Sequence, residues 1–109
     1  MSEIKRVVLM QGGVETLDYF SRQLGEAFQE LGLIPFYFDL TDGERSARRL
    51  RKFQKSGETA LVTFNFEGLE REEGLFSLRD GYFWQAYRIP CFNICVDHPY
   101  WYESRFSWL

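Results

Sequence analysis

Four short apolar runs recur along this chain: VVLM at residues 7–10, IPFYFDL at 34–40, ALVTFNF at 60–66 and CFNICV at 91–96. The runs are nearly continuous rather than alternating. Strands of that kind must be covered on both faces, which is the signature of a parallel sheet sandwiched between helices. Each gap between runs is long enough for a crossover, and crossovers joining parallel strands are right-handed.

The gaps read accordingly. Gln11-Gly12-Gly13 forms a tight turn, and Leu17, Phe20, Leu24, Ala27, Phe28 and Leu31 then recur at helical spacing, with Gly32 at the left-handed position that closes a helix. Thr41 and Glu44 have capping-box spacing at the start of a second helix, and Gly57 closes that segment. Residues 67–80 are rich in glycine and acid and read as a loop, and residues 82–89 as a short helix stopped by Pro90. No internal repeat or low-complexity linker interrupts the pattern. The expected fold is α/β: one Rossmann-like three-layer domain over residues 1–109, with a four-stranded parallel sheet in the order 3-2-1-4.

At 109 residues such a domain buries roughly two-thirds of the surface its unfolded chain exposes. Thirteen basic and 16 acidic residues give a net charge of -3, so no global positive field recruits nucleic acid or an anionic membrane, and neither partner is expected from the overall charge. The first ten residues carry only a short apolar run after Lys5 and Arg6, too short for a signal-peptide core or a membrane span, which makes the cytoplasm the default location. Cys91 and Cys95 fall on one strand, where four residues span about 13 Å, too far for a disulfide between them. They read as buried thiols. With one histidine and no second cysteine pair, neither a metal nor a cofactor is expected.

In a sheet of this kind, ligands bind beyond the carboxyl ends of the strands, where strand order reverses. The order 3-2-1-4 puts that crevice between the first and fourth strands. Its candidate residues are Gln11, Gly12 and Gly13 on one side and Asp97 and His98 on the other, with Asp39, Asn65 and Glu67 at neighbouring strand ends. Gly12-Gly13 could admit a phosphate to a helix amino terminus, but the pattern is neither GxGxxG nor a P-loop, and Glu15 and Asp18 add competing negative charge. His98, the sole histidine, is suited to acid or base chemistry near neutrality. The competing account has His98 or Asp97 capping a helix that begins at Pro99. Asp39 reads as a loop or helix-capping acid.

Arg45, Arg48, Arg49, Arg51, Lys52 and Lys55 lie opposite Ala47, Leu50 and Phe53 on a helical wheel and are most simply a solvated face, with anion or partner binding as the alternative. Glu67, Glu70, Glu72 and Glu73 read as a solvated loop. Tyr100, Trp101, Tyr102, Phe106 and Trp108 crowd the last ten residues. Such rings can stack on sugars, which makes Tyr100 a substrate-binding candidate, or pack against another domain or a second copy of the chain as a homodimer.

From Leu61 onward, the succession VTFNFEG, a tryptophan-containing helix with IP, and FNICVDHPYWYE resembles the N-terminal region of bacterial glycosyltransferase-like proteins of the spore-maturation CgeB-like group. Val96-Asp97-His98-Pro99-Tyr100 with Tyr102 is its most specific part, and the first half agrees only in its order of elements. The resemblance implies the N-terminal half of a two-domain glycosyltransferase-B-type protein, contributing the acceptor side of the cleft. It makes Asp97 and His98 the catalytic candidates and Gln11, Gly12, Gly13, Asn65, Glu67 and Tyr100 the substrate-binding ones. A sugar acceptor or nucleotide sugar would be bound together with a second domain, and the chain would be inactive alone. The alternative is a non-catalytic module that associates through its terminal aromatics.

Overall fold

In the computed structural model, which describes residues 3–95, Val7, Val8, Leu9 and Met10 are each at most 2% exposed, so the first strand is covered on both faces. That strand, β1 (Arg6–Gln11), leads into helix α1 (Glu15–Glu30) and strand β2 (Ile34–Asp39). A single 3-10 turn (Leu40–Asp42) precedes helix α2 (Gly43–Phe53) and strand β3 (Thr59–Phe64). A long excursion follows, carrying a two-residue hairpin, β4 (Phe76–Ser77) and β5 (Gly81–Tyr82), then the short helix α3 (Phe83–Ala86) and strand β6 (Cys91–Ile94). Among the described residues no helix is long and apolar enough to cross a membrane.

The main sheet is four-stranded and entirely parallel, as expected, and the domain is α/β and Rossmann-like. Its order is β2-β1-β3-β6, which corrects the expected 3-2-1-4. The reason lies in which strands tolerate an edge. Pro35 removes a backbone donor from β2, and Ile34 is 49% exposed, so β2 suits the rim. The β3 run TALVTF is buried at five of its six positions and needs a neighbour on each side. Placing β2 between β1 and β3 would have inverted both preferences.

Two helices cover opposite faces. Leu9 and Tyr37, paired in register, approach Gly25 of α1, where the lack of a side chain admits the Tyr37 hydroxyl. Val8, Met10 and Phe38 alternate to the other face and join Ala47 and Leu50 of α2, with Leu61, Leu75, Phe83, Trp84 and Ile89, in the main core. Right-handed crossovers require this split, because the chain leaves β1 toward β2 and returns across it to β3. The excursion closes the core on the α2 side: Trp84 Nε1 donates to the Gly68 carbonyl at 2.7 Å, and Phe83 N donates to Leu75 O at 2.8 Å.

Several local expectations are corrected. Thr41 does not cap α2. Asp39 instead ends β2 and accepts from Thr41 N (2.9 Å) and Thr41 Oγ1 (2.6 Å), which winds the intervening 3-10 turn, and α2 starts at Gly43 and ends at Phe53, short of Gly57. The third strand stops at Phe64 because Asn65 and Phe66 take positive φ values of 52° and 65°. The helix expected over residues 82–89 is limited to Phe83–Ala86, with Arg88 at φ 55° turning the chain back. Residues 67–80 contain the small β4–β5 hairpin rather than loop alone. Cys91 and Cys95 are exposed, not buried, because β6 is an edge strand.

Candidate functional site

The corrected strand order moves the crevice. Order reverses where β1 neighbours both β2 and β3, so the switch point lies between β1 and β3 rather than between the first and fourth strands. The pairing of β1 with β3 runs from Arg6↔Thr59 to Val8↔Leu61 and no further, whereas β1 stays paired with β2 to Gln11↔Asp39. Beyond Val8 and Leu61 the two strands part, and the gap opens toward their carboxyl ends.

Gln11, Gly12 and Gly13 leave β1 on one side of this gap, and Asn65 and Glu67 leave β3 on the other, so five of the sequence-derived candidates converge. Gly12 adopts φ 86°, which lets the chain turn sharply into α1. Glu67 reaches across: its Oε2 accepts from Val14 N at 3.3 Å, joining residues 53 apart in sequence. Asp18, one turn into α1, accepts from Gly12 N through Oδ2 at 3.2 Å. The Val14 N–H at the helix cap and the Gly12 N–H in the preceding turn are therefore each engaged by a carboxylate of the chain itself, close to where a phosphate would approach the helix start. Gln11 is fixed beside them, donating from Nε2 to Asp18 O (3.1 Å) and accepting from Arg22 Nη2 (3.3 Å).

Burial raises the Glu67 carboxyl above the ordinary glutamate range; the Val14 N–H opposes that rise, and the Asp18 and Glu72 charges add to it. Glu67 Oε1 and Asp18 Oδ1 are both out of solvent contact and have no protein hydrogen-bond partner. Each is an acceptor with unused capacity. Glu72, expected in a solvated loop, instead accepts from Gly68 N at 2.6 Å, and Thr63 Oγ1 donates to Glu67 O at 2.6 Å, so the glutamate is held on a braced turn.

The β3 turn is also tied to the sheet edge. Asn65 N donates to Ile94 O (2.9 Å), and Asn93 Oδ1 accepts from Phe66 N (2.7 Å). Sequence reasoning missed Asn93 and Glu72. An asparagine within an apolar strand was the signal for the first; nothing local distinguished Glu72 from its acidic neighbours. Asp39 borders the crevice beside Gln11 and Gly12 but is folded onto Thr41, whose two hydrogen bonds lower its carboxyl below the ordinary aspartate range. Asp97, His98 and Tyr100, and the terminal aromatics Trp101, Tyr102, Phe106 and Trp108, lie outside the described residues. Asp97 follows the last residue of β6 by three positions.

No group of three or more His, Cys, Asp or Glu among the described residues is arranged to hold a metal ion. A concavity of about 640 Å³ lies elsewhere, between α2 and the excursion, with Glu44, Arg51, Tyr82 and Tyr87 among its walls. The crevice thus combines two unpartnered carboxylate oxygens with backbone amides already engaged by carboxylates, an arrangement whose negative charge opposes a phosphate. The chain matches no family model, no curated protein and no solved structure.

Proposed function

We propose that this chain is the acceptor-side domain of a cytoplasmic glycosyltransferase-like protein, holding a hydroxyl-rich, phosphate-free ligand at the β1/β3 crevice and inactive without a partner domain. The observation that carries this reading is the Glu67 carboxylate seated at the start of α1, with one oxygen on Val14 N and the other unpartnered. A nucleotide-binding domain keeps that position open for a diphosphate. Here negative charge fills it, which suits the sugar-acceptor side of a transfer reaction and not the nucleotide side. In this reading Asp97 and His98, three and four positions past the end of β6 in sequence, supply the acid or base group, and Tyr100 a stacking face.

NMR titration with neutral mono- and disaccharides, a nucleotide sugar and inorganic phosphate tests it. Saccharides are expected to shift the Gly12, Gly13 and Val14 amides, and Glu67→Gln to weaken that binding about tenfold, the worth of one charge-assisted hydrogen bond. Unmoved amides at millimolar saccharide, or a stronger response to phosphate, would overturn it.

A second reading, an association module, is favoured by one feature: Phe92 and Ile94 on the edge strand β6 are 57% and 41% exposed. Sedimentation at rising concentration should then reveal a dimer that Phe92→Ser weakens, and a strict monomer would exclude it.

A further inference from the structure

The outer face of α2 concentrates positive charge that no ion pair found among the described residues answers. Arg45, Arg48, Arg49 and Lys52 recur at i, i+3, i+4 and i+7 and form one stripe, with Arg51 beside it, and all five are exposed. The ion pair found among the described residues, Lys5 with Glu58, involves none of them. The five side chains alone line a shallow space of about 490 Å³. Like charges three and four positions apart oppose helix formation, a cost that Glu44 four positions before Arg48 and the placement of Arg51 and Lys52 in the last turn offset only in part.

We propose that this face of α2 docks on an anionic lipid surface. Clusters of four to eight basic residues on one side of a helix suit such surfaces. The apolar side of α2 is consumed by the core, with Ala47 and Leu50 buried, so the contact is electrostatic and peripheral, without insertion. The charge distribution also orients the domain. Helix α1, on the opposite face of the sheet, exposes Glu15, Glu26 and Glu30, which would point away from a negative plane. The stripe itself contains no aromatic residue on which a base could stack, which favours a lipid surface over single-stranded nucleic acid. This inference does not depend on the sugar-binding reading, since the crevice lies at the strand ends and the stripe on a helix flank.

Co-sedimentation of the intact chain with vesicles of phosphatidylcholine alone, or mixed with phosphatidylglycerol, is the test. Binding is expected to the anionic vesicles only, to fall as salt rises from 50 to 300 mM and the Debye length shortens about 2.4-fold, and to drop by about tenfold or more in Arg45→Gln/Arg49→Gln. Arg45→Lys/Arg49→Lys keeps the charge and should retain binding. Because each variant changes only exposed side chains, circular dichroism should be unaltered and any loss attributable to the surface. Absence of binding to anionic vesicles at 50 mM salt, equal binding to neutral vesicles, or binding to a nucleic-acid duplex without binding to vesicles would each overturn the proposal.

Discussion

The strand-to-helix junctions after β1 and β2 solve the same problem by different means. After β2, Asp39 satisfies the backbone of Thr41 two residues later, and Ser46 Oγ accepts from Asp39 N at 3.1 Å, so the turn is built from its own neighbourhood. After β1, Val14 caps α1 with no side-chain bond of its own, and the acceptor comes from Glu67 on another strand's loop. A local cap is complete whenever the segment folds. A borrowed cap exists only once the sheet has brought β1 and β3 together, and it leaves a polar, partly desolvated cluster where the locally built turn leaves none. The candidate site therefore sits at the junction that could not finish itself.

The largest effect is expected at the second junction. Gly43→Ala would drive its Cβ into the Glu73 carbonyl, backbone against backbone, and should destabilise by about 3 kcal/mol in urea unfolding. Gly12→Ala comes next, at about 2 kcal/mol, because it combines a φ of 86° with a Cβ 2.6 Å from Asp39 Oδ1. Equal losses at both positions would erase the distinction between fixed and adjustable surroundings. Gly13→Ala meets the far end of the Glu67 side chain instead, which can swing away; its cost should stay below about 1 kcal/mol. A change in the Val14 amide resonance would report the lost link.

The junctions should also differ in the sign of their pH dependence. Glu67 in the folded chain keeps its proton to higher pH than in the unfolded chain. Its contribution is therefore fullest below the ordinary glutamate range and is lost as pH rises through the raised value. Asp39 is lowered by its Thr41 hydrogen bonds, so its contribution is present above the ordinary aspartate range and lost as pH falls through the lowered value. Glu67→Gln should flatten the first slope and Asp39→Asn the second in unfolding series from acid to neutral pH. Slopes of the same sign would break the comparison. The smallest effect belongs to the helix that follows the local junction: Arg48→Gln, relieving repulsion from Arg45 and Lys52, should raise stability by about 0.5 kcal/mol.

What was legible in the sequence followed the same division. The four strands and two principal helices were readable because each announces itself through its own apolar spacing. Strand order was not, because it depends on which strand tolerates an edge, and Pro35 carried that information unread. Gln11, Gly12, Gly13, Asn65 and Glu67 were identified as strand-end residues without knowing that β1 and β3 would face each other. The bond from Glu67 to Val14 was not legible, since no local pattern encodes a contact across 53 positions. The acidic stretch after β3 hid two distinct fates: Glu73 is exposed, while Glu67 and Glu72 hold backbone amides.

The central position of β1 has a consequence for how the chain acquires its shape during synthesis. Residues 6–39 emerge first and can pair β1 with β2 under α1. The other margin of β1, made of some of the most apolar residues in the protein, then has no partner until Thr59–Phe64 has left the ribosome. For that interval the nascent domain exposes an adhesive rim to its surroundings. Slow translation between residues 40 and 58 would lengthen the exposure, and a chain truncated before β3 should be recovered as aggregate.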